Sequence, residues 1–240
     1  MKKLTMTLAL LALIPSSAAA QKYRLPINYK NTKTTSYYDH SGKDWNCTAC
    51  RSGNAWSPPY CYSGHHGTDF ADPNAITSTY KRPIFAAAAG TVTFIETGHG
   101  TGSTSCCSSC TASSCGGTGC LGNQVRIKHA DGKSTYYGHM SVVSVSKGQT
   151  VTCGQKIGEQ GSSGCSSGPH VHFHVKLASG GNDDPYMGTC GGPLTYWVKQ
   201  NNWGMWETPG EQCETIAVEL ATFQAEPGPT SIRLKWRTAM

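Results

Sequence analysis

Histidines occupy every second position in the run Gly168–His174, at His170, His172 and His174. Side chains on a β-strand alternate between its two faces, so in a strand these imidazoles would point to the same side, about 7 Å apart along the chain. Pro169 has no backbone N–H and is confined to strand starts and edges, which predicts a strand that begins at His170 near the rim of a sheet. The pattern alone also fits an ordinary half-exposed strand or an adventitious metal site.

A second cluster of metal-binding side chains lies upstream, in the run His65–Phe70. His65 supplies an imidazole nitrogen and Asp69 a carboxylate oxygen, and one imidazole of the later run completes a set of two histidines and one carboxylate. Catalytic zinc sites typically have three protein ligands and keep the fourth position for water or substrate, whereas structural sites are closed by four protein ligands. The two clusters together therefore predict a catalytic zinc site.

The segments that must position these side chains are short, rich in Val, Ile, Thr and Tyr, and separated by turns that contain glycine. Extended segments are predicted at residues 83–89, 91–96, 123–129, 134–140, 142–145, 150–152 and 154–158. Asp131-Gly132 lies between two of them and is a typical hairpin turn. A spacing of roughly ten residues between strands predicts a mainly β fold, a compact antiparallel sheet or flattened barrel.

The N-terminus has the three regions of an export signal. Lys2 and Lys3 precede an apolar run at residues 4–14, and small residues ending in Ala-Ala-Ala follow. We therefore expect a signal peptide at residues 1–20, a mature chain from Gln21, and a secreted, soluble product that is extracellular or periplasmic. No later apolar run reaches the roughly 18 residues that a spanning helix needs. Removal of the two lysines lowers the formal net charge from +6 to +4. An excess this mild would suit an anionic wall or surface, but chance explains it as well.

The 12 cysteines all lie in the mature part, and an even number in an exported chain indicates disulfides. They group as Cys47, Cys50 and Cys61; Cys106, Cys107, Cys110, Cys115 and Cys120; Cys153 with Cys165; and Cys190 with Cys213. The first two groups are odd, so complete oxidation requires at least one bridge to leave each of them. The Cys-x-x-Cys pairs within these groups would alternatively suit a structural zinc knuckle, but export and the missing zinc-ribbon spacing argue against it.

Six blocks of sequence, in order, resemble the lysostaphin-type or LytM-like zinc endopeptidases, relatives of the β-lytic metallopeptidases. The blocks are His65-x-x-x-Asp69, PIFAAAAGTV at 83–92, GNQVxIxH at 122–129, YGHM at 137–140, GQxIG at 154–158 and GPHVHF at 168–173, which cover about residues 64–176. The resemblance implies an antiparallel β-sheet groove with one zinc ion at its floor, and cleavage of peptide bonds in bacterial peptidoglycan. It also implies zinc held by His65, Asp69 and His172, with His139 and His170 as catalytic histidines.

The two catalytic histidines implied by the resemblance take the place of a glutamate base, because the chain has no His-Glu-x-x-His sequence. We expect His170, on the same strand face as His172, to orient or deprotonate the attacking water. We expect His139 to hydrogen-bond the developing oxyanion or to assist the leaving amine. All five family positions carry the required residue. This favours an enzyme over the alternative, a catalytically silent wall-binding or activator module. A third hypothesis, a general secreted protease of Gly-rich proteins, is distinguished only by turnover of purified peptidoglycan.

The remaining ring side chains near these blocks have less specific expected roles. His66 is expected in the groove wall. His174 lies on the same strand face as His172, and contact with substrate or with a residue that supports a metal ligand is its less favoured role. His129 is expected at the surface. Tyr137 precedes His139 by two and would share its face, where packing is the expected role.

The domain organisation follows from these blocks and from the composition between them. We expect a signal peptide at 1–20, an irregular segment pinned by cysteines at 21–63, a zinc endopeptidase domain at 64–187 with a Cys-rich insertion at 97–122, a Trp-rich extension stapled by Cys190 and Cys213 at 188–214, and a two-strand tail at 215–240. The tail is similar to the first hairpin of a fibronectin-III-like module. We expect a monomer whose partner is a peptidoglycan peptide, with no nucleic acid bound and no membrane span.

Overall fold

Antiparallel strands make up the regular structure in the part of the chain that is described. The computed structural model describes residues 21–27, 32–39, 64–71, 81–102, 120–186, 196–198, 212–213, 220–227 and 232–238. The strands are β1 (Lys33–Ser36), β2 (Thr68–Ala71), β3 (Pro83–Phe85), β4 (Gly90–Glu96), β5 (Gln124–Lys128), β6 (Ser134–Gly138), β7 (Met140–Val143), β8 (Thr150–Val151), β9 (Lys156–Gln160), β10 (Val171–Lys176), β11 (Asn182–Asp183), β12 (Leu220–Pro227) and β13 (Ile232–Thr238). Among these residues no helix is long and apolar enough to cross a membrane. The mainly β, antiparallel fold predicted from sequence is confirmed.

The largest sheet has the strand order β1-β2-β10-β6-β5-β4-β8, with β11 paired to β10. A second sheet has the order β3-β9-β7, and β12 pairs with β13 as a separate two-stranded sheet. The histidine strand β10 therefore lies inside the main sheet, between β2 and β6. In this register His172 is directly opposite Asp69 on β2 and Gly138 on β6, so the sheet itself brings two of the predicted ligands side by side.

The predicted start of the histidine strand needs a correction. β10 begins at Val171, and His170 forms an isolated bridge with Gly161 just before it. Pro169 thus precedes the ladder, so its missing N–H removes no interstrand hydrogen bond and does not require an edge strand. The strand is consequently an interior one, and the site lies at its beginning.

The apolar side chains of β10 and its neighbours pack on the face opposite the histidines. Val171, Phe173 and Val175 are fully buried, and the Phe173 ring lies 5.5 Å from Tyr137 and 5.4 Å from Trp197. Trp197 belongs to the sequence-predicted Trp-rich extension, and it is buried against this core. The other two tryptophans of the extension, Trp203 and Trp206, lie outside the described residues.

The segment at 21–63, predicted to be irregular, contributes both a strand and core residues. Strand β1 pairs with β2 and forms one edge of the main sheet. Tyr23, Leu25 and Ile27 are almost completely buried, which makes the segment part of the domain's core rather than a loose cover. Residues 40–63, with the first cysteine group, lie outside the described residues.

Local boundaries and cysteine pairing differ from the sequence expectations in two further places. The predicted strand at 83–89 ends at Phe85, and the four alanines after it form a bend before β4, in which Ala86, Ala87 and Ala88 are buried and Ala89 is exposed. Cys213 is bonded to Cys153 and not to Cys190, so this bridge ties the extension to the loop before β9. Cys120 and Cys165 each take part in a disulfide as well. The signal peptide and most of the Cys-rich insertion lie outside the described residues, whereas the two tail strands are present as β12 and β13.

Candidate metal centre

Three donor atoms from His65, Asp69 and His172 converge at one point on the histidine face of the main sheet. Nε2 of His65 lies 3.1 Å from Oδ1 of Asp69 and 3.1 Å from Nδ1 of His172, and the last two atoms lie 2.9 Å apart. Bond lengths of about 2.0–2.2 Å in a tetrahedral zinc site imply ligand atoms roughly 3.3 Å apart. The triangle therefore has nearly the size of one face of such a tetrahedron, and all three side chains are buried.

The other ring nitrogen of each ligand histidine is occupied, which leaves a lone pair directed at the centre of the triangle. Nδ1–H of His65 donates to the backbone carbonyl of Tyr37 at 2.6 Å, so its Nε2 carries no proton in the neutral ring. Nε2 of His172 lies 3.1 Å from Nδ1 of His174 and donates to it, which leaves Nδ1 of His172 free to bind a cation. Such outer hydrogen bonds fix the tautomer and the orientation of metal-binding histidines.

The charge state of the triangle suits a cation. Burial alone would raise the pKa of Asp69, but the neighbouring His65 and His170 hold it well below its ordinary value. Asp69 is therefore an anion. Burial is also the main cause that lowers the pKa of His172, so that ring is neutral and keeps its lone pair. Burial lowers the pKa of His65 as well, but Asp69 outweighs it and the net shift is upward.

His139 reaches the centre because the chain turns sharply between β6 and β7. It has a left-handed backbone, with φ of 59°, and its N–H donates to the carbonyl of Leu121 at 2.7 Å. Its ring lies 4.5 Å from that of His170 and 5.9 Å from that of His172, measured between centroids. The turn also explains why Tyr137 and His139 do not share a face: Tyr137 points into the core, as its expected packing role requires.

Both non-ligand histidines are anchored through Nδ1 on a backbone carbonyl, which leaves Nε2 of each ring without a proton. Nδ1–H of His139 donates to Ser163 at 2.7 Å, and Nδ1–H of His170 donates to Gly168 at 2.8 Å. Nε2 of His170 is buried without a hydrogen-bond partner among the described residues and lies 3.7 Å from Oδ1 of Asp69. Burial, followed by the charges of His170 and His172, holds the pKa of His139 well below its ordinary value. Nε2 of a neutral His139 with its proton on Nδ1 is a hydrogen-bond acceptor.

His174 is part of this centre, although sequence reasoning gave it only an outside role. It is buried, contacts His172 as described above, and stacks at 4.3 Å on the ring of Tyr136. Burial is the main reason that its pKa lies well below the ordinary value, and a neutral ring can accept through Nδ1. The alternation of side chains along the strand could have indicated this role, because it places His174 beside His172 on one face.

Two other histidines lie away from the centre. His66 is exposed, with its ring 6.0 Å from that of Tyr38 at the side of the groove. His129 was expected at the surface, and this was wrong: it is 3% exposed. Its Nδ1–H donates to Ala89 at 2.8 Å, and its Nε2 lies 2.8 Å from Oγ1 of Thr135. A histidine with both nitrogens satisfied can be buried at little cost.

Three curated relatives are similar to parts of this chain. The DD-carboxypeptidase/endopeptidase Mpg of Neisseria meningitidis serogroup B is 34% identical over 113 residues, which cover 47% of this chain and 20% of Mpg. Peptidoglycan DD-endopeptidase ShyA of Vibrio cholerae is 44% identical over 54 residues, 22% of this chain and 13% of ShyA. Stage II sporulation protein Q of Bacillus subtilis is 47% identical over 58 residues, 23% of this chain and 20% of that protein. The chain spans about a fifth of the length of Mpg.

Among solved structures, lysostaphin from Staphylococcus simulans aligns with a TM-score of 0.37 and 28% sequence identity, over 50% of this chain and 42% of lysostaphin. The family model described as Peptidase family M23 matches residues 63–185. This range is just over half of the 240 residues and includes the five side chains whose convergence is described above. The chain therefore belongs to peptidase family M23.

Proposed function

We propose that this chain is an exported zinc endopeptidase that hydrolyses peptide bonds in the stem peptides or cross-bridges of bacterial peptidoglycan. The observation that carries the proposal is the triangle of donor atoms, 2.9–3.1 Å on a side, beside two further histidines. Nε2 of His170 lies 3.7 Å from Oδ1 of Asp69, and the ring of His139 lies 5.9 Å from that of His172. Membership of a peptidase family and similarity to a peptidoglycan DD-endopeptidase support the reaction and the substrate class. We further propose that it acts as a monomer and that residues 64–187 form the catalytic domain.

In this proposal His65, Asp69 and His172 hold one zinc ion per chain through Nε2, Oδ1 and Nδ1. One carboxylate and two neutral imidazoles are the donor set of many catalytic zinc sites, and the spacing of the three atoms fits that ion. When bound there, zinc would supply a Lewis acid and lower the pKa of water towards neutrality. Among the described residues the set has three protein donors, the number found in catalytic zinc sites.

His170 is the proposed general base. Its Nδ1–H is held by the carbonyl of Gly168, which leaves the unprotonated Nε2 facing the centre. In that position it can take a proton from the attacking water and return it to the nitrogen of the scissile amide as the C–N bond breaks. Asp69, 3.7 Å away, stabilises the protonated ring between these two events.

His139 is the proposed partner of the leaving amine. Its low pKa and its Nδ1–H bond to Ser163 make Nε2 a hydrogen-bond acceptor, which cannot donate to an oxyanion. An acceptor at this position can instead bind the N–H of the scissile amide and orient the nitrogen lone pair towards the proton on His170. Of the two roles that the sequence leaves open for His139, this geometry favours the second.

The proposal is tested by digestion of purified sacculi of several cross-link types, followed by mass analysis of the soluble fragments. We expect new amine and carboxylate ends at one type of peptide bond, and we expect a chelator to abolish them and added zinc to restore them. Release of no fragment from any sacculus by the zinc-loaded chain would overturn the proposal.

One rival function is a wall-binding or activator module that keeps the fold but does not cut. Similarity to Stage II sporulation protein Q and to the cell division protein DipM of Caulobacter vibrioides favours this alternative, because neither name states a peptidase activity. Sacculus binding without fragment release would support it. The presence of all five polar side chains at the centre favours the enzyme.

A further inference from the structure

A continuous row of side chains leads away from the metal centre across the histidine face of the sheet. His174 pairs with Tyr136, Tyr136 with Arg126 and Arg126 with Phe94, so the four residues are in register on β10, β6, β5 and β4. The guanidinium carbon of Arg126 lies 4.5 Å from the ring centre of Tyr136 and 4.2 Å from that of Phe94. A peptide that extends from the metal centre over this row meets Arg126.

The guanidinium group of Arg126 is held in a fixed orientation. The rings of Phe94 and Tyr136 both contact it, and its Nε–H donates to Oε1 of Gln124 at 3.0 Å. The amide of Gln124 in turn donates to Oε2 of Glu96 at 2.8 Å, which prevents the amide from rotating. A planar cation stacked on aromatic rings keeps its N–H groups at its edge, where they bind a carboxylate in pairs.

The charge of Arg126 is not neutralised within the part of the chain that is described. Its terminal nitrogens make no hydrogen bond or ion pair with a described residue, and the side chain is half-buried. Lys133 and Lys156, by contrast, pair with Asp131 and Glu159 at 2.6 and 2.9 Å. The carboxylate of Glu96 reaches Arg126 only through the intervening amide of Gln124. The histidine face of the sheet therefore presents an oriented cation that has no counter-ion among the described residues.

We propose that Arg126 binds a carboxylate of the peptide substrate and makes the groove selective for anionic peptides. This inference rests on the proposed function for the identity of the peptide. Arg126 is two strands away from β10, about 10 Å at the usual strand spacing, and an extended chain covers that distance with about three residues. The carboxylate recognised therefore lies about three residues from the scissile bond.

Two sources of the carboxylate are distinguished by the choice of probe. The probe is one synthetic cross-linked stem peptide in three forms: all carboxylates free, only the C-terminal carboxylate amidated, or only the internal carboxylates amidated. Affinities are measured by calorimetry with the zinc-loaded, full-length His170→Ala variant, which binds without cutting. Arg126→Gln is combined with this variant, and Lys128→Gln, which removes the exposed cation two positions along the same face of β5, is the matched control.

We expect the peptide with all carboxylates free to bind at least about 10-fold more tightly than one of the two amidated forms. The amidated form that binds weakly shows whether Arg126 recognises the C-terminal or an internal carboxylate. Arg126→Gln should bring the two affinities within about twofold of each other, whereas Lys128→Gln should preserve the preference. Equal binding of all three forms, or a preference that survives Arg126→Gln, would overturn the inference. If the preference is found and the unaltered chain cuts no form, the proposed hydrolysis fails and the carboxylate site stands.

Discussion

The two faces of strand β10 carry opposite chemistry on one backbone. Val171, Phe173 and Val175 are fully buried against apolar side chains, whereas His172 and His174 are buried against polar atoms. Burial of the apolar face stabilises the fold by roughly 1.5–3 kcal/mol per side chain. Burial of the polar face stabilises nothing unless each nitrogen and oxygen has a partner. The apolar face therefore stabilises the sheet. The sheet in turn holds together the polar site, whose burial alone would be unfavourable.

The largest effect on stability is expected from the apolar face. Phe173→Ala removes a ring that packs on Tyr137 and Trp197, and we expect a loss of about 3–5 kcal/mol in the free energy of unfolding. Zinc content per folded chain should not change, because the histidines lie on the other face. Denaturant unfolding and metal analysis of the same sample measure both. Loss of zinc from a chain that remains folded would show that the two faces are not separate.

Gly67→Ala should affect the polar face through geometry alone. A Cβ at Gly67 would lie 2.6 Å from Nε2 of His172 and 2.7 Å from the carbonyl oxygen of Phe173, so the ligand ring must shift. We expect zinc affinity to fall by more than about 100-fold, since a shift of this size breaks the triangle. Competition with a chromogenic chelator measures the affinity.

Gly168→Ala is the matched control for this substitution, because a Cβ at that position meets no atom within 4 Å. It should leave zinc affinity within about threefold of the unaltered chain, a difference of about 0.6 kcal/mol. Equal losses from the two glycines would contradict the assignment of His172 as a ligand.

A smaller effect is expected from the outer histidine of the polar face. His174→Ala removes the acceptor for Nε2–H of His172, 3.1 Å away, but no metal-binding atom. Replacement of such an outer partner typically costs 10–100-fold in metal affinity or activity, and we expect zinc affinity to fall within that range. His174→Asn, which retains an acceptor, should recover part of the loss. An unchanged affinity in His174→Ala would remove His174 from the site.

The sequence indicates the five site residues in two ways. Alternation along a strand predicts that His172 and His174 share a face, whereas the assignment of His65, Asp69, His172, His139 and His170 rests on the resemblance to the zinc endopeptidases. The register that puts Asp69 opposite His172 is set by the folded sheet. Alternation ends where the backbone leaves the strand. The positive φ of His139 breaks the alternation and separates it from Tyr137, which a rule of period two assigned to the same face.

Long-range pairings could not be read from the sequence. The bridge from Cys153 to Cys213 spans 60 residues, and spacing alone does not choose between many possible pairs of twelve cysteines. The burial of His129 is a similar case, because it depends on Thr135 and on a carbonyl 40 residues earlier in the chain. Such contacts follow from how the sheet closes, which no local pattern specifies.

The most direct test of the central claim is the zinc content of three histidine variants after dialysis, measured with their peptide-bond hydrolysis. His139→Ala and His170→Ala should each retain one zinc per chain and lose most activity. The first removes the partner of the leaving amine and the second removes the general base, and both leave the triangle intact. His172→Ala should lose the metal as well as the activity. If His170→Ala released zinc as readily as His172→Ala, the division into ligands and catalytic histidines would be contradicted.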